Sequence, residues 1–183
     1  MTALHNVVLF IANIFFSFCV FVILLRILLQ FFRANFHNPI CQLVAKMTNP
    51  VILPLRKILP RVSFIDLSSV IVLLIIEILK FMTLGFIQGI FISLPFNIIM
   101  SLTDMILQTI DILFYAILIR VILSWINSPN TMVLAEIVYL LTEPMLGRIR
   151  RIVPPIAGLD LSPIVAFILL KILSIVILSY LPG

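Results

Sequence analysis

The sequence predicts an all-α integral membrane protein with four transmembrane helices. These form two parallel-repeat helical hairpins, with amphipathic interfacial helices in the cytoplasmic loops. Three observations predict this. Of 183 residues, 63% are hydrophobic and only 10% charged, with a mean hydropathy of +1.34. A soluble domain is about 45–50% apolar and about 25% charged, and a soluble core of this size could not cover the excess. Four stretches also supply the roughly 20 apolar residues that a bilayer core of about 30 Å demands. Finally, the chain repeats itself at an offset of 94 residues.

The first span, about 7–32, holds no charge from Val7 to Leu25 and continues apolar past Arg26 to Phe32. No Lys or Arg precedes it, it is too long for a signal-peptide core, and no small-x-small cleavage site follows, so it is expected to be a retained helix. The second span, about 67–86, contains Glu77 and Lys80; the third, about 98–126, contains Asp104, Asp111 and Arg120; the fourth, about 161–181, contains Lys171. A long uncharged stretch, Phe81 to Thr103, straddles the junction of spans two and three. Pro95, Gly85 and Gly89 weaken a helix centred there, which predicts an apolar turn over Gln88–Asn97.

The repeat settles that choice. Without a gap it pairs Ile23, Leu24 and Arg26 with Ile117, Leu118 and Arg120, and Thr48 and Pro50 with Thr142 and Pro144. It also pairs Arg56, Lys57, Ile58 and Pro60 with Arg150, Arg151, Ile152 and Pro154, and Asp66, Leu67 and Ser68 with Asp160, Leu161 and Ser162. Apolar coincidences are easy in this composition; Arg, Thr, Pro, Asp and Ser in one register are not. Two units follow, 1–94 and 95–183, each helix, basic loop, helix. A unit that crosses twice leaves its successor in the same orientation, which places the symmetry axis along the membrane normal.

Charge gives the orientation. Twelve Lys and Arg against seven Asp and Glu leave +5. Arg33, Lys46, Arg56, Lys57 and Arg61 lie in the first long loop, and Arg148, Arg150 and Arg151 in the third, so both loops are expected in the cytoplasm and both termini outside. The basic excess therefore points to anionic headgroups, not to nucleic acid. Each loop should be amphipathic. Asn38 before Pro39 is a helix start, and Ile40, Leu43, Val44 and Met47 recur at helical spacing opposite Gln42 and Lys46. Thr48, Asn49 and Pro50 are expected to stop this helix and begin another, a device repeated at Thr142, Glu143 and Pro144. Such short basic helices suit the headgroup plane or the flank of the bundle.

Several segments of the second unit, Arg120–Trp125 (RVILSW), Leu141–Pro144 (LTEP), Ile149–Pro155 (IRRIVPP) and Gly158–Pro163 (GLDLSP), resemble the signature of the YggT family. The first unit matches less well, with Phe64 for the usual glycine, Ser69 for the proline and Phe31 for the tryptophan. The resemblance implies a small bacterial inner-membrane protein with the unit present twice. Plastid and cyanobacterial members are linked to cytochrome b6 haem attachment and to nucleoid or division organisation, and enterobacterial ones to osmotic tolerance. It assigns no catalytic residue and no cofactor.

The polar residues carry two readings each. Asp66 and Asp160 suit helix caps; beside Arg150 and Arg151 the same amides could instead hold a phosphate, with lipid headgroups the natural ligand. Arg56, Lys57, Arg148, Arg150 and Arg151 then form a face for lipid or a protein partner. Arg26 and Arg120, roughly 9 Å inside their helix ends, either snorkel or bond Asp66, Asp160 or loop carbonyls. Glu77 and Lys171 are equivalent, roughly 16 Å deep, where an unpaired charge costs at least about 3 kcal/mol. A salt bridge between them across the axis is the simplest solution, with Lys80 an alternative partner for Glu77 or for Asp111. Together these four form an intramembrane ion-pair network, or a proton or cation path. Cys19 and Cys41 read as small packing residues, and His5 and His37 fall on opposite sides of the membrane. With no phosphate-binding glycine loop, no HExxH and no nucleophile beside a base, the chain reads as a non-enzyme. Three functions stand: a membrane assembly, scaffold or organisation factor that binds anionic lipid and a membrane protein; a small channel or ion-translocating homo-oligomer; and, third in order, a small-molecule binder between the hairpins.

Overall fold

A computed structural model describes residues 3–57, 66–126, 131–154 and 160–180. They form six helices: α1 (Ala3–Phe31), α2 (Pro39–Arg56), α3 (Leu67–Gln88), α4 (Leu94–Trp125), α5 (Met132–Ile152) and α6 (Ser162–Ser179). Four of these, α1, α3, α4 and α6, are long and apolar enough to cross a bilayer, which makes the chain a multi-pass membrane protein. Each unit is thus a spanning helix, an amphipathic helix and a second spanning helix.

The junction between units is tighter than expected. Gly89 takes φ +72°, where only glycine sits without strain, and its N–H and that of Ile90 cap α3 on Phe86 and Gly85. At Gly85 a Cβ would stand 2.9 Å from the Ile90 carbonyl oxygen, so the chain folds back over a bare backbone. Four residues later α4 begins at Leu94, with Pro95 in its first turn, where the missing N–H costs nothing.

The loop helices differ from expectation. Asn38 caps α2, accepting from the Ile40 N–H at 3.0 Å. Thr48, Asn49 and Pro50 do not break it: α2 runs unbroken through Pro50 and Pro54, and α5 through Pro144. Internal proline costs about 3 kcal/mol, and tertiary anchoring opposes that here. Ile52 is fully buried, and Arg26 from α1 grips the Thr48 and Asn49 side chains beside the proline. Gly158 of the family-like segment, the departure at Phe64, and Arg61 lie outside the described residues.

Three apolar clusters hold the bundle. Val20, Ile23, Leu24, Ile52, Val72 and Leu73 centre the first unit and take in Ile112 of α4; Ile110, Ile117, Leu146, Ile149, Ala166 and Leu170 centre the second. The third cluster joins them, with Ile137 and Leu141 of α5 packed on Val22, Leu29, Cys41 and Val44. This join is one-sided. Helix α3 packs on α4, and α5 on α1, whereas α6 has no comparable packing on α1, nor α2 on α4; the equivalent helices α1 and α4, and α2 and α5, also touch. The positions of α2 equivalent to Ile137 and Leu141 are Leu43 and Met47, and both are exposed. The units therefore meet head to tail, unlike the reciprocal contact a twofold axis imposes.

Candidate functional site

Two polar systems occupy the bundle. The first lies at the end bearing α2 and α5, and it repeats. Arg26, only 3% exposed, donates to Thr48 Oγ1 and, at 2.8 Å, to Asn49 Oδ1. Its equivalent Arg120 donates to Thr142 Oγ1 at 2.8 Å and to Glu143 Oε2 at 2.6 Å, stacked 4.5 Å over the Tyr139 ring. Each threonine hydroxyl in turn donates 2.7 Å to a carbonyl four residues back. Arg56 pairs with Asp66, and Arg150 with Asp160 at 2.9 Å and Glu143 at 3.0 Å. The aspartates expected to receive Arg26 and Arg120 are thus held by the later arginines, and the earlier arginines hold the threonine and the residue after it.

The caps differ between units. Asp160 Oδ1 accepts from the Ser162 N–H at 2.9 Å. Asp66 makes no such bond; its carboxylate takes Arg56 and, at 3.0 Å, the Ser69 hydroxyl. Burial disfavours the charged form of Asp66, but Arg56 and Ser69 outweigh it and hold its carboxyl below the ordinary value. Burial likewise works against Glu143, where hydrogen bonds and charge from Arg120 and Arg150 win and lower it. Asp160 is also lowered, burial being outweighed by Ser162 and Arg150.

The second system lies within the spanning helices. Glu77, fully buried, is 3.5 Å from Lys80 and accepts from Gln108 at 3.0 Å. Lys80 also pairs with Asp104, whose carboxylate accepts from Gln108 at 2.7 Å. Asn97 and Ser101, both buried and bonded to one another at 3.2 Å, extend the seam along the same face of α4. Beside it an open cleft of about 530 Å³ runs between α1, α4 and α5, polar at Asn13, Ser17, Lys80, Asp104, Gln108 and Asp111. Its apolar walls include Phe21, Ile119 and Leu134.

The salt bridge expected between Glu77 and Lys171 is not formed. Their equivalence in sequence would bring them together only across a twofold axis, and the one-sided join places α3 against α4 and leaves Lys171 exposed on α6. Lys80 is the partner of Glu77, and its second carboxylate is Asp104 instead of Asp111. Asp111 is exposed.

On the surface of the loop helices, Arg56 and Arg150 are spent on ion pairs. Lys46, Lys57, Arg148 and Arg151 are exposed, beside exposed Leu43, Met47, Val51, Leu53 and Ile152. Cys19 and Cys41 are free thiols. Several participants in the buried seam were not singled out by the sequence reading. Asn97, Asp104 and Gln108 fall seven and four residues apart on α4, a spacing that marks one helical face and could have found them. The pairing of Asn49 and Glu143 with the arginines had no such signal, since the two residues differ in identity.

A profile of the CCB3/YggT family matches residues 5–87 and again residues 95–181. The chain belongs to the CCB3/YggT family. It is 41% identical over 162 residues to an uncharacterized protein in the proC 3' region of Vibrio alginolyticus, covering 87% of this chain and 86% of that one. To the uncharacterized protein YggT of Escherichia coli K12 it is 36% identical, over 84% of this chain and 79% of the other. A shorter match, 34% over 61 residues, covers 33% of this chain and 35% of CCB3, a chloroplastic protein of Arabidopsis thaliana named for cofactor assembly of complex C. No solved structure matches. The YggT resemblance read from the motifs of the second unit is thus a membership, and it holds for both units.

Proposed function

We propose that this protein is a non-catalytic factor of the bacterial inner membrane that helps assemble or organise another membrane complex. Both termini face away from the cytoplasm, and the α2–α5 end forms a cytoplasmic face that holds anionic lipid and a protein partner. One observation carries the reading: the basic residues divide their work. Arg26, Arg56, Arg120 and Arg150 lock the helices together, while Lys46, Lys57, Arg148 and Arg151 stay exposed beside apolar side chains. That mixture suits a surface lying among headgroups, where each cation adds about 1 kcal/mol near anionic lipid. The family relative in Arabidopsis, named for cofactor assembly, supports an assembly role.

The test is the phospholipid that co-purifies from native membranes, together with photocrosslinking from position 151. Anionic lipid is expected to be enriched over the bulk membrane and to fall at least about threefold when Lys46, Lys57, Arg148 and Arg151 are all changed to Gln. A discrete crosslinked protein is expected beside it. Unchanged lipid and no crosslinked partner would set the reading aside. A second reading, ion translocation, is favoured by the cleft, where Lys80, Asp104, Gln108 and Asp111 line one open space. Proteoliposomes that conduct ions, and cease to with Asp104→Asn, would select it.

A further inference from the structure

Two opposite charges stand on the outer surface of the spanning helices with no ion pair. Asp111 on α4 and Lys171 on α6 are exposed, and neither joins a salt bridge among the described residues. They line one open groove of about 490 Å³, walled otherwise by Phe114, Tyr115, Phe167 and Ile168. Lys171 is nine residues into α6, roughly 14 Å along it at 1.5 Å per residue, near the middle of a core about 30 Å thick. A charge there is costly when it faces hydrocarbon, and such residues pair with one another or with water-filled space. The groove needs an occupant that brings one negative and one positive group.

A second copy of this chain brings both. A twofold axis along the membrane normal, placed at the groove, sets each Asp111 against the other copy's Lys171, because such a contact presents the same patch from both sides. The aromatic walls supply the apolar area around the two pairs. The first unit already satisfies its buried charges in this way, by reaching outside itself: Glu77, the equivalent of Lys171, is bonded by Gln108 of the second unit, and Lys80 by Asp104. Among the described residues no ion pair meets Lys171 in return. We propose that two copies associate through the α4–α6 groove, Asp111 of each copy pairing with Lys171 of the other. The pair also stands at the mouth of the cleft, whose lining includes Asp111, so the second copy contributes a cation to its wall.

The test uses two differently tagged full-length copies co-expressed in membranes, solubilised and captured through one tag. Wild-type copies are expected to co-purify. Asp111→Lys alone, or Lys171→Asp alone, should lower co-purification at least about tenfold, because every contact then sets like charges together. Mixing the Asp111→Lys copy with the Lys171→Asp copy should restore it, since each charge again meets its opposite across the axis. Wild-type copies that never co-purify would overturn the proposal, as would single variants that pair like wild type. Rescue only when both changes lie in one chain would also overturn it, by assigning the pair to a single copy. If a charge variant does not fold by size-exclusion profile, Ser174→Cys, with Cys19 and Cys41 replaced by Ala, supplies a second readout. A short bis-maleimide is then expected to link the copies into a dimer, and a purely monomeric product would refute it.

Discussion

The two polar systems of this bundle were built from the same doubled sequence and have gone opposite ways. At the loop end, Arg26, Thr48, Arg56 and Asp66 recur as Arg120, Thr142, Arg150 and Asp160, and the bonds recur with the residues. Within the spanning helices, Glu77 and Lys80 recur as Lys171 and Ser174, and the network around the first pair has no counterpart around the second. The difference follows from where each system gets its partners. The bonds of these arginines close inside one unit, so a duplicated unit duplicates them, whereas Asn38, which donates to the Val133 carbonyl and to Glu136 across the units, is not duplicated. The deep bonds cross from α3 to α4, and only one such crossing exists in a chain of two units.

The largest effect that would sharpen this comparison belongs to the buried crossing. Lys80→Met leaves Glu77 and Asp104 without their cation, and breaking a buried pair costs about 3–5 kcal/mol. A large drop in thermal stability of the purified protein is expected, whereas Lys171→Met, at an exposed position, should leave the single copy nearly unchanged. Equal losses from both would break the contrast. Next comes the loop end, where the repeat is kept but burial is not: Arg26 is nearly inaccessible and the Arg120 side chain is 19% exposed. Arg26→Ala should destabilise by about 2–3 kcal/mol and Arg120→Ala by less, since water can still solvate the groups left behind. Differential unfolding in one detergent measures both, and a larger loss at Arg120 would reverse the ranking.

The smallest effect is a pH dependence. Asp66 and Asp160 both have carboxyls lowered from 3.8 in the folded protein. Their contribution is therefore present above the unfolded value and lost as pH falls through the lower folded one. The Asp160 side chain is 39% exposed, which limits its pair to below about 1 kcal/mol, while Asp66 at 4% is far less screened. Between about pH 6 and 3 the stability gap between wild type and Asp66→Asn should narrow more than that for Asp160→Asn. Thermal unfolding across that range reads both gaps, and parallel curves would show that burial does not separate the two caps.

Much of this was legible in the residues. Hydropathy marked four spans, and the turn signals at Gly89 and Pro95 divided the long apolar stretch where the chain in fact turns. Offset identity found the arginines, threonines and aspartates of the loop end. It could not find their pairing, because an offset says which residues are equivalent, not which are adjacent. The same limit undid the link between Glu77 and Lys171: equivalent residues touch only when a symmetric axis passes between them, and side-chain packing sets that axis. The helices through Pro50 and Pro144 were illegible for another reason. Local propensity breaks them there, and the arginine that opposes the break comes from a helix more than twenty residues earlier.

The head-to-tail join carries a consequence for the order of the halves. If the segment encoding residues 95–183 were transposed ahead of 1–94, α6 would be the helix laid against α1. By the 94-residue offset, Lys171 and Ser174 would then confront Phe10 and Ile14, where Glu77 and Lys80 now meet Asp104 and Gln108. A cation would be driven into hydrocarbon side chains, and two acids would be stranded at the new ends. The halves look interchangeable on paper, yet each has become a left or a right shoe.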